Sequence, residues 1–215
     1  MAVVISSGHG KYVRGASGYL DEVDEARRVV EAVADVLRAQ AVGVVTFHDD
    51  VSRTQNENLN RIVNFHNAQT RDLDVSVHFN AYQTTPSPRG TECLYVTQQD
   101  LSARMAAAMA RAGDFINRGP KKRTDLFFLN NTAMPAILLE VCFVDSQADA
   151  NAYRANFDLI CVAIAETISG IPVRPPSEPE IPVDPPPVAA VVSIAIETPD
   201  GVEVSISVNG ELRGA

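Results

Sequence analysis

The chain has four histidines, His9, His48, His66 and His78, and one carboxylate in an expensive place. Residues 135–144, "PAILLEVCFV", read as a buried β-strand interrupted by Glu140. An ionised side chain in a low-dielectric interior costs several kcal/mol unless it meets a cation, a metal or dedicated donors. Glu140 therefore either pairs with one of the 18 Lys and Arg residues or lies at a strand end where a cleft opens. His9 follows the apolar run "AVVIS" in "SSGHGK", and His78 closes a second run in "SVHFNA". These positions bring His9, His78 and Glu140 to one edge of the predicted sheet. Glu22 opens the helix after His9, and its first turn faces the same edge. Two imidazoles and one carboxylate from separate elements leave a fourth tetrahedral position for water, which is the pattern of a catalytic rather than a structural zinc site. Zinc lowers the pKa of bound water to about 7, and attack is efficient when a nearby base takes the proton. Glu140, the carboxylate outside that set, is the expected base. No HExxH segment gathers the ligands on one helix, so the site depends on tertiary convergence.

The other candidates carry competing readings. His66 falls on an apolar helical stripe and reads as a packed histidine. His48 precedes two aspartates at a strand end, where it is either a hydrogen-bonded loop residue or part of the cleft wall. Glu22 competes with Asp21, Asp24 and Glu25, any of which is favourable in a first helical turn. The three cysteines, Cys93, Cys142 and Cys161, form no CxxC pair and read as reduced core residues of a protein made in a cytoplasm.

Strand-like and helix-like segments alternate up to residue 170. "AVVIS", "VGVVTFH", "LDVSVHFNA", "TECLYVT", "DLFFL" and "AILLEVCFV" are predicted strands. Helices are predicted from Asp21, over 53–68, from Leu101, and from Ser146 to Gly170, with Asp21 and Ser146 as N-caps and Gly170 as C-cap. This alternation implies an α/β fold, a mostly parallel twisted sheet with helices on both faces. In such sheets the functional crevice lies outside the carboxyl ends of the strands. Residues 172–188 hold eight of the thirteen prolines and read as a semi-rigid linker. Beyond it, 189–215 alternates apolar residues around Pro-Asp-Gly and Asn-Gly turns, as a small β-hairpin tail does. The expected role of that tail is wall binding or self-association.

The net charge of −9 argues against nucleic acid and anionic membranes as partners. No apolar run approaches the ~20 residues that span a bilayer. The start lacks a basic n-region, so no signal peptide is expected.

"ISSGHG", Glu22 leading a helix, "SVHFNA" and "PAILLEVCFVD" occur in the order of the motifs of the zinc-dependent N-acetylmuramoyl-L-alanine amidases, the type-3 family of cell-wall hydrolases and phage endolysins. The chain resembles that family over residues 2 to 170. "RGTECLYV" and residues 116–153 look particularly like endolysin amidase domains acting on Gram-positive walls. The resemblance implies His9, Glu22 and His78 as ligands of one Zn²⁺, and Glu140 as catalytic acid/base. It implies peptidoglycan as substrate, cut between N-acetylmuramic acid and L-Ala of the stem peptide. It also implies action on the wall after holin-type release from the cytoplasm of a phage-infected or lysogenic cell. The family's usual Asp-Pro before Gly-His is Ser6-Ser7 here. Asn80, two residues past His78, is either a substrate contact or a turn asparagine. The basic run "RGPKKR" (118–123) reads as a solvated loop, with stem-peptide carboxylates as the other use. Two rival functions fit the same residues: a zinc peptidase cutting a stem or cross-bridge bond, and a non-catalytic wall-binding or assembly protein.

Overall fold

In chain order the elements are β1 (Ala2–Ser7), α1 (Glu22–Ala39), β2 (Gly43–Phe47), α2 (Gln55–Asn67), β3 (Leu73–Asn80), β4 (Thr91–Tyr95), α3 (Gln99–Gly113), β5 (Asn117–Lys122), α4 (Phe127–Asn131), β6 (Ala136–Phe143) and α5 (Gln147–Ser169). They come from a computed structural model that describes residues 1–173. The expected tail, and the linker from residue 174 on, lie outside the described residues. The six strands form one sheet in the order β2-β1-β3-β6-β4-β5. Every neighbouring pair is parallel except β4 with β6. The mostly parallel α/β sheet expected from the alternation is present, with a single antiparallel step.

Strand periodicity sorts the side chains onto the two faces. Val75, Val77 and Phe79 of β3 and Ile137, Leu139 and Val141 of β6 belong to the larger core, with Val29 and Val33 of α1, Met105 and Met109 of α3, and Ile160 and Ile164 of α5. On the opposite face Leu94, Ala136 and Leu138 pack under Ile62 and Val63 of α2 and Phe128 and Leu129 of α4. Helices therefore cover both faces. The three cysteines are buried and free, as expected of core residues.

The helix termini follow their capping chemistry. Asp21 accepts from the Val23 and Asp24 N–H groups at the start of α1. Thr54 and Glu57 form a capping box on α2. Ser146 caps α5 at its start, and Gly170 ends it at φ 71°, a left-handed position that suits glycine.

Two segments depart from expectation. "DLFFL" was expected as a strand, but Phe127–Asn131 form the helix α4. A short apolar run has no periodicity long enough to decide; here Phe128 and Leu129 turn onto the sheet while Leu126 stays at the cap. "RGPKKR" was expected as a loop, but Asn117–Lys122 form the edge strand β5, parallel to β4. Its Pro120 and paired lysines are residues that an edge strand accommodates and that discourage further pairing.

Candidate metal centre and catalytic cleft

The run Asp21–Glu25 places four acids in four environments. Asp21 is spent on the α1 cap, and Arg14 pairs with Asp21 and, at 2.8 Å, with Asp24 on the exposed side. Glu25 accepts from the Tyr153 hydroxyl at 2.9 Å and pairs with Arg28. Glu22 alone turns inward, 3% exposed. Its Oε2 accepts from Ala16 N–H at 2.7 Å, and its Oε1 accepts from Phe79 N–H at 3.1 Å. Oε1 also lies 3.1 Å from His78 Nδ1 and 3.5 Å from His9 Nε2. One ligand atom from each of His9, Glu22 and His78 lies within 4.8 Å of the others. Among the described residues this is the cluster of three that could hold a metal ion.

Two glycines make the approach feasible. A Cβ on Gly8 would fall 1.8 Å from His78 Nε2, and one on Gly15 would fall 2.1 Å from Glu22 Oε2 and 2.6 Å from His9 Cδ2. Only a residue without a side chain lets the loop close around the donors.

The charges respond to each other. Burial pushes the Glu22 carboxyl up, but the hydrogen bond and charge of His78, with His9 behind it, hold it below its ordinary value. His78 is raised: burial opposes its proton, and the Glu22 hydrogen bond and charge outweigh burial. His9 is lowered by burial and by His78. The set keeps Glu22 charged beside the two imidazoles, an arrangement that suits a cation.

Glu140 answers the question posed by its strand. It faces His78 in the β3–β6 register and Glu92 in the β4–β6 register. No Lys or Arg among the described residues forms an ion pair with it, so the ion-pair alternative is not realised. Its Oε2 is buried with no hydrogen-bond partner among the described residues. Burial pushes its carboxyl up to about 8, helped by the charges of Glu22 and Glu92 and opposed by His78 and Arg123. A cleft of about 420 Å³ opens over it, lined among others by His9, His78, Glu140, Asn58, Arg123 and Phe128. An unpartnered carboxylate beside a His–Glu–His set suits a metal with its water, and the donor types are those that zinc takes.

The remaining candidates separate cleanly. His66 is fully buried in α2; its Nδ1 lies 2.8 Å from Asp74 Oδ1, and its Nε2 lies 2.9 Å from Ser6 Oγ. It is the packed histidine of the first reading, although its two polar partners gave no signal in the sequence. His48 sits between Ser7 Oγ at 2.9 Å and Glu31 at 3.0 Å, outside the cleft lining. Asn80 lines a neighbouring cavity and donates to Glu92 Oε1 at 3.1 Å. Glu92 is the residue sequence reasoning passed over. Its signal was available, because it is a second carboxylate inside an apolar strand, "TECLY".

Fold and donors together define a class: an α/β protein with a candidate His–Glu–His metal centre, opening at the carboxyl ends of its parallel strands. The N-acetylmuramoyl-L-alanine amidase family model matches residues 3–170, and the chain belongs to that family. It is 32% identical to an uncharacterized 38.4 kDa protein of Clostridium perfringens, over 78% of this chain and 51% of that one. It is 28% identical to the endolysin of Bacillus phage SPP1, over 75% of this chain and 61% of the endolysin. Among solved structures, the catalytic domain of an endolysin targeting Clostridia Difficile superposes with a TM-score of 0.73 at 24% identity, covering 81% of this chain and 99% of that domain. The chain spans about half the length of the first two curated relatives it matches, 51% and 55%.

Proposed function

We propose that the protein is a zinc-dependent peptidoglycan amidase of endolysin type, cleaving the amide between N-acetylmuramic acid and L-Ala of the stem peptide. The family match over 3–170 supports the reaction. The observation that carries the metal assignment is the gathering of His9, Glu22 and His78 donors within 4.8 Å, beside a buried and unpartnered Glu140 oxygen. A Zn²⁺ held by those three side chains would polarise the scissile carbonyl and acidify the attacking water. Glu140 would take the proton of the attacking water, and the same carboxyl, once protonated, would return it to the departing L-Ala amine. Without a cation, burial raises the Glu140 carboxyl to about 8; a cation held beside it would lower that value and leave the carboxylate free to act as the base. Phe79 and Ala16 N–H groups fix Glu22, so the donors are oriented before any substrate arrives.

The likeness to a phage endolysin supports action on the bacterial wall, in keeping with release through a holin-type partner. We place the catalytic unit at 1–171, the linker at 172–188 and a wall-binding or self-associating tail at 189–215. The test is metal dependence on purified walls. Chelated protein should leave wall turbidity unchanged, and one equivalent of Zn²⁺ should restore lysis. Full lysis by protein verified to be metal-free would overturn the proposal.

A further inference from the structure

Beside the catalytic cleft lies a second cavity of about 320 Å³, lined by Asn80, Ala81, Tyr82, Arg89, Arg118 and Phe143. It continues the same two strands. Asn80 is two residues beyond His78, Phe143 is three beyond Glu140, and the two are register partners. At about 3.3 Å per residue, the cavity sits roughly 7–10 Å from the reacting centre. Its lining holds two guanidinium groups and no acid. Arg118 is held by donation from its Nε to Glu92 Oε2 at 2.7 Å, and lies 5.0 Å over the Phe143 ring. Arg89 donates to the Gln83 carbonyl at 2.9 Å and lies 5.0 Å over Tyr82 and 5.7 Å over Phe143. Its Nε is buried with no partner among the described residues. Glu92 is shared between Arg118 and Asn80, Asp145 and Asp149 are occupied by the Tyr82 and Arg89 backbone N–H groups, and no carboxylate among the described residues pairs with the Arg89 guanidinium. Each guanidinium has five N–H donors, and most of them are uncommitted here. Stacked and tethered, the two forks are pre-organised for a carboxylate.

We propose that this cavity binds a free carboxylate on the stem peptide, that of the acidic residue following L-Ala, and selects acidic stems over amidated ones. The inference rests on the amidase reading. An extended peptide leaving the scissile bond advances about 3.3–3.6 Å per residue, so its second residue reaches the distance at which the arginines wait. Asn80 and Tyr82 form the walls that hold the peptide in register.

The test compares N-acetylmuramoyl-L-alanyl-D-isoglutamyl-L-lysine with its isoglutaminyl counterpart, which differs by one carboxylate made an amide. With zinc-loaded protein, kcat/KM should favour the acid by about tenfold or more, mostly through KM, as expected for charge-assisted hydrogen bonds. Arg118→Gln and Arg89→Gln should each narrow that preference to less than about threefold, with Arg118→Lys in between. Calorimetry with the two released tripeptides should show the same order of affinity, and this arm decides if soluble muropeptides are cut too slowly to measure. Equal kcat/KM and equal tripeptide affinity in the unaltered protein would overturn the proposal while leaving the amidase intact. Walls and muropeptides both left whole by zinc-loaded protein would instead remove the amidase reading and this inference with it.

Discussion

A single carboxyl oxygen, Glu140 Oε2, is buried with no hydrogen-bond partner among the described residues although its residue lines a cleft. Proteins seldom leave such an atom without a use. Glu140→Gln keeps the shape and removes the proton carrier, so wall lysis should fall by about 10²–10⁴-fold with zinc content unchanged, as read by turbidity and atomic absorption. Loss of the zinc together with the activity would move Glu140 into the ligand set. Titration gives a second prediction at this scale. Burial raises Glu140 from an ordinary 4.5 to about 8, so between those values the unfolded chain releases a proton that the fold retains. In metal-free protein this makes Glu140 a destabilising influence that grows as pH rises from about 4.5 to 8, by at most about 5 kcal/mol. Metal-free Glu140→Gln should therefore match the unaltered protein in denaturant melts at pH 4 and exceed it in stability at pH 8. Gly8→Ala tests the donors from the other side. The added methyl meets His78 Nε2, so zinc affinity should drop by at least about tenfold in a competitive chelator titration while the far-ultraviolet circular dichroism is kept.

Register sets the site at the scale of elements. Parallel pairing of β3 with β6 puts His78 against Glu140, and the one antiparallel step puts Glu92 against its other side. Beneath them, a polar group buried between the sheet and α2 joins the elements that carry the loops. Asp74 lies 2.8 Å from His66 Nδ1 and Ser6 Oγ lies 2.9 Å from His66 Nε2, with burial lowering the imidazole's affinity for a second proton, while Arg71 donates to both Asp74 oxygens at 2.7 and 2.8 Å. Ser6, His66 and Asp74 stand in the order of a nucleophilic triad, but all three are fully buried, so their work is to lock β1, β3 and α2. Asp74→Asn leaves Arg71 short of a charge partner in the interior and should cost about 3–5 kcal/mol in chemical denaturation. The α/β layering was legible because apolar runs and amphipathic helices of ordinary length alternate. Caps at Asp21, Ser146 and Gly170 were legible because each belongs to a short local code. What escaped is tertiary. Phe127–Asn131 is too short for a period to show, and β5 carries edge-strand charges that look like loop residues when the sheet is unseen. Glu22 could not be chosen over Asp21 by type alone, since only the α1 cap geometry separates them.

The whole molecule presents an acidic chain with a cationic niche next to its cleft. Residues 1–173 form one compact unit with a core complete on both faces of the sheet. No helix among the described residues is long and apolar enough to cross a membrane. A chain ending at residue 173 should melt within a few degrees of the full chain and cut soluble muropeptides at a comparable rate. Wall pull-down and light scattering on the same pair would then show whether residues 174–215 bind wall or join copies. The scissile bond is the central matter, and mass spectrometry of zinc-loaded digests of purified peptidoglycan reads it directly. The account predicts stem peptides with a new L-Ala amino terminus and glycan strands left intact. Products bearing new amino termini inside the stem or cross-bridge, or new reducing ends on the glycan, would contradict it.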